Sequence, residues 1–131
     1  MSASLARLPA GELVQLARRA GFQQARWLDR SALPPALAPH PQLESLGEGG
    51  FLIAALSCHR LEPADLSAPG DPHALVAPFA RRDYYRDAVD RLKTVVRSVS
   101  ERVGIDRSRA RIFCNSRLPE KPLAVAAGLG F

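Results

Sequence analysis

The sequence predicts a mixed α/β domain of the α+β type, with a mixed sheet flanked by helices. Three observations lead there. Two stretches, 11–20 and 82–103, repeat apolar residues at three- and four-residue steps. A continuous apolar run at 51–58 has strand length, and the elements follow the order helix, strand, strand, helix, strand, helix. With 131 residues, 47% hydrophobic and 24% charged, the chain has the size and apolar content of one domain spanning 1–131.

The first helix is expected over Gly11 to Ala20, because Leu13, Val14, Leu16, Ala17 and Ala20 fall on one helical face and Gly21 stands where a C-terminal cap glycine belongs. Phe22 to Leu28 reads as a short strand. Residues 31–50 contain Pro34, Pro35, Pro39 and Pro41 and then Gly47, Gly49 and Gly50, which favours a meandering loop. Phe51 to Cys58 is the expected central strand, apolar on both faces and therefore covered on both. Pro63, Pro69, Pro72 and Pro78 then mark a second long connection, and two long loops in a small domain point to a binding role.

Arg82 to Val103 carries the clearest helical signal. Tyr85, Val89, Leu92, Val96, Val99 and Val103 form its apolar stripe, Asp83 can cap its start, and Gly104 ends it. Arg109 to Cys114 alternates polar and apolar residues as a strand does. A final helix is expected to begin with Pro119 or Pro122 in its first turn and to run through Ala127, with Gly128 as its cap.

Charge is divided unevenly. Residues 1–80 hold six Arg against seven Asp or Glu, whereas residues 81–131 hold twelve Lys or Arg against six acids. A basic half of this kind is the footprint of a polyanion partner such as tRNA. No run approaches the roughly 18 apolar residues that span a bilayer. The N-terminus lacks the charged-then-apolar order of a secretory signal, so a cytoplasmic protein without membrane contact is expected. Cys58 and Cys114 are too few for a disulfide framework and stand in no CxxC pair, so both are expected as reduced thiols. Cys58, His59 and His73 lack the repeated spacing of zinc modules. Asp71-Pro72-His73 has the first part of an Asp-x-His-x-x-Gly cobalt-ligating motif, but Val76 occupies the glycine position, and no metal ligand is assigned.

The most specific stretch is the last one, Asn115 to Phe131. Glu120-Lys121, Leu123-Ala124, Ala127 and Gly128-Leu129-Gly130-Phe131 follow a proline-containing turn, and Arg82-Asp83-Tyr84-Tyr85 opens the long helix upstream. Together these two blocks resemble the N-terminal, cobalamin-binding portion of the epoxyqueuosine reductases. The resemblance implies a nitroreductase-like α/β domain holding cobalamin without its lower base. It also implies a following ferredoxin-like part, absent from this chain, in which two iron-sulfur clusters supply electrons. The reaction implied is part of queuosine biosynthesis, in which the epoxide of epoxyqueuosine in tRNA is reduced and its oxygen leaves as water. Alone, these residues are expected to bind cofactor and not to turn over.

On this resemblance Tyr84, Tyr85, Ser116, Lys121, Gly128, Leu129 and Gly130 are expected at the cofactor, Tyr84 facing it more directly than Tyr85. The family's catalytic aspartate is replaced. Ungapped alignment from Glu120-Lys121 puts Cys114 in its place, and a one-residue gap puts Asn115 there. A thiol can donate a proton at neutral pH, whereas an amide cannot do so usefully. Tyr85 stands where the family has histidine, which removes a group titrating near neutrality. These departures leave cofactor binding intact while separating it from the choice of substrate. Two alternatives therefore stand beside it, a related cobalamin reductase with another substrate and a non-catalytic RNA-interaction module using the long helix with Arg107, Arg109 and Arg111.

Overall fold

The computed structural model describes residues 8–46, 49–57 and 83–130. Cys58, His59, Asp71, His73, Arg82, Phe131 and the expected connection at 60–80 lie outside them. Among the described residues four helices and two strands are formed, α1 (Ala10–Arg19), β1 (Gln24–Asp29), α2 (Pro41–Glu44), β2 (Gly50–Ala55), α3 (Tyr84–Val103) and α4 (Glu120–Ala126). Short 3₁₀ turns lie at Arg30–Ala32 and Arg107–Arg109. The architecture is mixed α/β.

β1 and β2 pair antiparallel, with Gln24 opposite Ala55, Trp27 opposite Leu52 and Asp29 opposite Gly50. Alternation along each strand sends its side chains to two different cores. Ala25 on β1 and Leu52 and Ala54 on β2 join Leu16, Ala17, Phe22 and Val95 beneath α1 and α3. Leu28 on β1 and Phe51 and Ile53 on β2 join Leu43 and Leu123 beneath α2 and α4. The strand expected over 51–58 ends at Ala55, with Leu56 and Ser57 beyond it, and within it residues of both faces are partly covered. Its expected place in a larger mixed sheet is corrected. Among the described residues the sheet has two strands, both antiparallel.

The expected third strand at 109–114 is also corrected. Arg107–Arg109 winds into a 3₁₀ turn, Ala110 is extended, and residues 111–113 join no strand ladder. Their alternation has another cause. Ala110 and Ile112 line one cleft together with Val96 of α3, while Arg111 lies over the Phe113 ring at 5.9 Å. A two-faced extended segment alternates in this way whether or not a neighbouring strand hydrogen-bonds to it. The proline-rich stretch at 31–46 is more ordered than expected, since Pro41 starts α2 and His40 Nδ1 accepts the Gln42 N–H at 3.2 Å.

α3 starts as predicted, with an Asp83 carboxylate oxygen accepting the Arg86 N–H at 3.0 Å, and it ends at Gly104 in the left-handed region. Its packed stripe is rotated from the predicted one. Ala88, Leu92, Val95 and Val99 meet the core, and Val95 is the buried one. The stripe begins one turn into the helix, which leaves Tyr85 61% exposed, not packed in the core. Arg91 ties α3 to α1. Its guanidinium donates from Nε to Asp87 Oδ1 at 3.1 Å and from Nη1 to the Ala20 carbonyl at 2.7 Å. The Ala20 carbonyl lies at the C-terminus of α1, where Gly21 (φ 104°) and Phe22 donate back to Arg18 and Ala17 in a Schellman motif.

A Cβ at Gly21 would overlap the Arg91 guanidinium. Gly21→Ala should therefore lower stability by about 1–3 kcal/mol, from left-handed strain together with displacement of Arg91. Gly11→Ala, in a helical position with no atom near the added methyl, should be neutral or stabilising by up to about 1 kcal/mol. Urea unfolding midpoints of the two variants give opposite signs if this packing is right.

Candidate functional site

The start of α3 meets the loop before α4 at Cys114, the residue that precedes the C-terminal block. Cys114 Sγ lies 4.0 Å from the Tyr85 carbonyl oxygen, within reach of a weak S–H donation across 29 positions of sequence. Asn115, next along, has φ 52°, a left-handed conformation that asparagine tolerates better than most residues. The loop is then shaped by one carboxylate. Glu120 Oε2 accepts the Asn115 N–H at 3.2 Å, and Oε1 accepts both the Ser116 N–H at 3.2 Å and the Ser116 hydroxyl at 3.0 Å. Ser116 Oγ in turn accepts the Leu118 N–H at 3.1 Å. Charge-assisted bonds of this kind are about twice as strong as neutral ones, so Glu120 is the fastener of the turn.

Sequence reading places Glu120 within a motif without giving it this role. The available signal is its position four residues after Ser116, on the first residue of α4. Leu118 and Leu123 on either side of Glu120 pack into the α2/α4 core, which anchors the C-terminal end of the turn.

Of the expected site residues, Tyr85, Cys114, Asn115 and Ser116 are brought together here. Tyr84 is half-buried and Tyr85 exposed, which reverses their expected roles, since Tyr85 offers its ring to solvent and Tyr84 is the more covered. Lys121 is exposed on the first turn of α4. Gly128, Leu129 and Gly130 lie at the other end of that helix, about 10 Å away at 1.5 Å per residue. There the Gly128 N–H donates to Val125 and the Leu129 N–H to Ala124, a second Schellman motif with Gly128 at φ 86°. Among the described residues no atom lies near enough to Gly130 to demand a glycine there.

Cys114 is half-buried, and burial, followed by the negative charges of Glu120 and Asp83, raises its pKa above the ordinary thiol value. The group therefore keeps its proton through neutral pH. Among the described residues no group of three or more His, Cys, Asp or Glu could hold a metal ion, and no helix is long and apolar enough to cross a membrane. No family model matches the chain, nor does any curated protein or solved structure.

Because the folded state holds the Cys114 proton more tightly than the unfolded chain, this contribution to stability is complete below the ordinary thiol pKa and is lost as pH rises through the raised value. Alkylation of Cys114, followed by peptide mapping to separate it from Cys58, should be several-fold slower at pH 8 than that of an unstructured thiol. Glu120→Gln removes one of the raising charges and should speed it. Equal rates in the two proteins would remove Glu120 from the electrostatics of the thiol.

Proposed function

We propose that this chain is the cobalamin-binding portion of a reductase similar to the epoxyqueuosine reductases, and that its candidate site lies along the loop from Cys114 to Glu120 and over α4. One observation carries the reading. Cys114, which directly precedes the C-terminal block and takes the place of the family's aspartate, lies beside the Tyr85 carbonyl of the other block, far away in sequence.

The residues present suit such a ligand. A corrin is a broad macrocycle edged with amide side chains, and it needs an open face with hydrogen-bonding groups at its margin. Asn115, Ser116 and Lys121 are exposed polar groups at one end of α4, Tyr85 adds an exposed aromatic ring, and no atom of the described residues crowds Gly128 or Gly130 at the other end. When bound, cobalamin would supply a low-potential metal centre for reductive cleavage of a carbon–oxygen bond. The chain's own part is binding, orientation and proton supply. Glu120 fixes the Asn115 and Ser116 backbone, and the protonated Cys114 thiol is the group in this loop able to release a proton as oxygen leaves. Two cysteines cannot ligate an iron-sulfur cluster of four thiolates, so electron delivery would come from outside this stretch.

With a thiol or amide where the resembled reductases carry a carboxylate, the substrate is assigned by class, as an epoxide or a comparably activated carbon–oxygen bond. Titration of the protein with cobalamin should shift the visible spectrum and give a saturable heat of binding. Absence of both would overturn the assignment. Glu120→Ala, which releases the loop, should weaken binding by about tenfold, roughly the loss of one charge-assisted contact. With cobalamin bound and a low-potential chemical reductant supplied, Cys114→Ser should sharply lower epoxide reduction. Unchanged turnover would take Cys114 out of the proton path.

A further inference from the structure

A cleft of about 250 Å³ opens between α3 and the extended segment after Arg107–Arg109, lined by Lys93, Val96, Arg97, Arg107, Ala110 and Ile112. None of these residues belongs to the site described above. Lys93 and Arg97 stand on successive turns of α3, about 6 Å apart along its axis. Arg107 reaches the cleft from the opposite wall. Its 3₁₀ turn is capped by Asp106, whose carboxylate accepts the Ser108 N–H at 2.8 Å, and that bond lowers the Asp106 pKa. The cap therefore stays charged at neutral pH.

Lys93, Arg97 and Arg107 are exposed and make no ion pair among the described residues. Asp90 and Glu101 flank the two α3 cations along the helix, but neither lines the cleft. Between the cations Val96 and Ile112 are half-buried and form an apolar floor. Three like charges held around one concavity repel each other unless an anion joins them, and an apolar floor beneath them favours an anion with an apolar body. The volume lies just under the range of about 300–1,000 Å³ common for small-molecule sites, so it suits one phosphate and one ring, not a helical nucleic acid.

We propose that this cleft binds a small phosphomonoester bearing a flat ring, of the class of a nucleoside monophosphate. The phosphate sits among Lys93, Arg97 and Arg107, and the ring lies over Val96 and Ile112. This goes beyond the cobalamin assignment and stands on different residues.

The test is calorimetry at low salt on the 131-residue chain with four probes: adenosine monophosphate, inorganic phosphate, adenosine, and a short single-stranded oligoribonucleotide without a terminal phosphate. Adenosine monophosphate should bind about tenfold more tightly than phosphate or adenosine, since it alone engages both cations and floor. Arg97→Gln and Arg107→Gln, both at exposed positions, should each weaken it by about tenfold. Circular dichroism melting shows that the variants fold, and cobalamin titration of the same variants should be unchanged, which keeps this outcome separate from that of the cofactor assignment. Three results would overturn the proposal: no binding of adenosine monophosphate, binding no tighter than that of inorganic phosphate, or preference for the oligonucleotide with steep salt dependence, which would make the cleft a phosphodiester-tracking surface.

Discussion

The register of the β1–β2 ribbon divides the apolar side chains of the fold between two helical layers. Trp27 opposite Leu52 and Leu28 opposite Phe51 place Ala25, Leu52 and Ala54 on one face and Leu28, Phe51 and Ile53 on the other. A slip of one residue would exchange the faces of one strand and bring Arg26 and Asp29 into places held by apolar residues. The ring of Trp27 also lies against Gly50, where any Cβ would overlap it, so the pairing is pinned by shape as well as by hydrogen bonds. The loop before α4 and the α3 helix are each held by one side of this division. The loop before α4 is anchored through Leu118 and Leu123 to the face carrying Leu28, while α3, with its cationic residues, rests on the face carrying Ala25.

Two polar fasteners complete what the cores begin. Arg91 bridges Asp87 and the Ala20 carbonyl, satisfying a backbone acceptor at the end of α1 and fixing the rotation of α3 against it. Glu120 does the corresponding work for the loop at 115–116. Both are carboxylate- or guanidinium-assisted bonds at a chain reversal, where ordinary helical or strand hydrogen bonding has run out. The difference lies in exposure. Arg91 is half-covered and ties two helices together, whereas the Glu120 turn stands on the surface, so the loop it shapes is available to a ligand.

Much of this was legible in the residues. α1, α3 and α4 were readable because periodicity, a capping Asp83 and the glycines at 21, 104 and 128 all point to the same boundaries, and these signals are local. The misreadings share the opposite property. Residues 109–114 alternate as a strand does, yet a strand needs a partner, and none is named by its own sequence. Tyr85 keeps helical phase with Leu92, but phase does not reveal that the packed stripe starts only at Ala88. Val95 was missed for the same reason, since a broad apolar arc leaves the buried line within it undetermined until α1 is docked. At the site, the motif identified Glu120 but not its work, because its bonds to Asn115 and Ser116 depend on a left-handed turn that only the folded loop displays.

The charges that build the site also set its chemistry. Asp83 is present as the cap of α3 and Glu120 as the clamp of the loop, and each would be accounted for by its structural duty alone. Both nevertheless act on Cys114 in the same direction as burial does, holding the thiol protonated. A raised pKa leaves little thiolate at neutral pH, which makes Cys114 a slow nucleophile. The same raising makes the thiol a weaker acid than a free cysteine, so any proton it gave up would have to be drawn off by a strongly basic leaving oxygen.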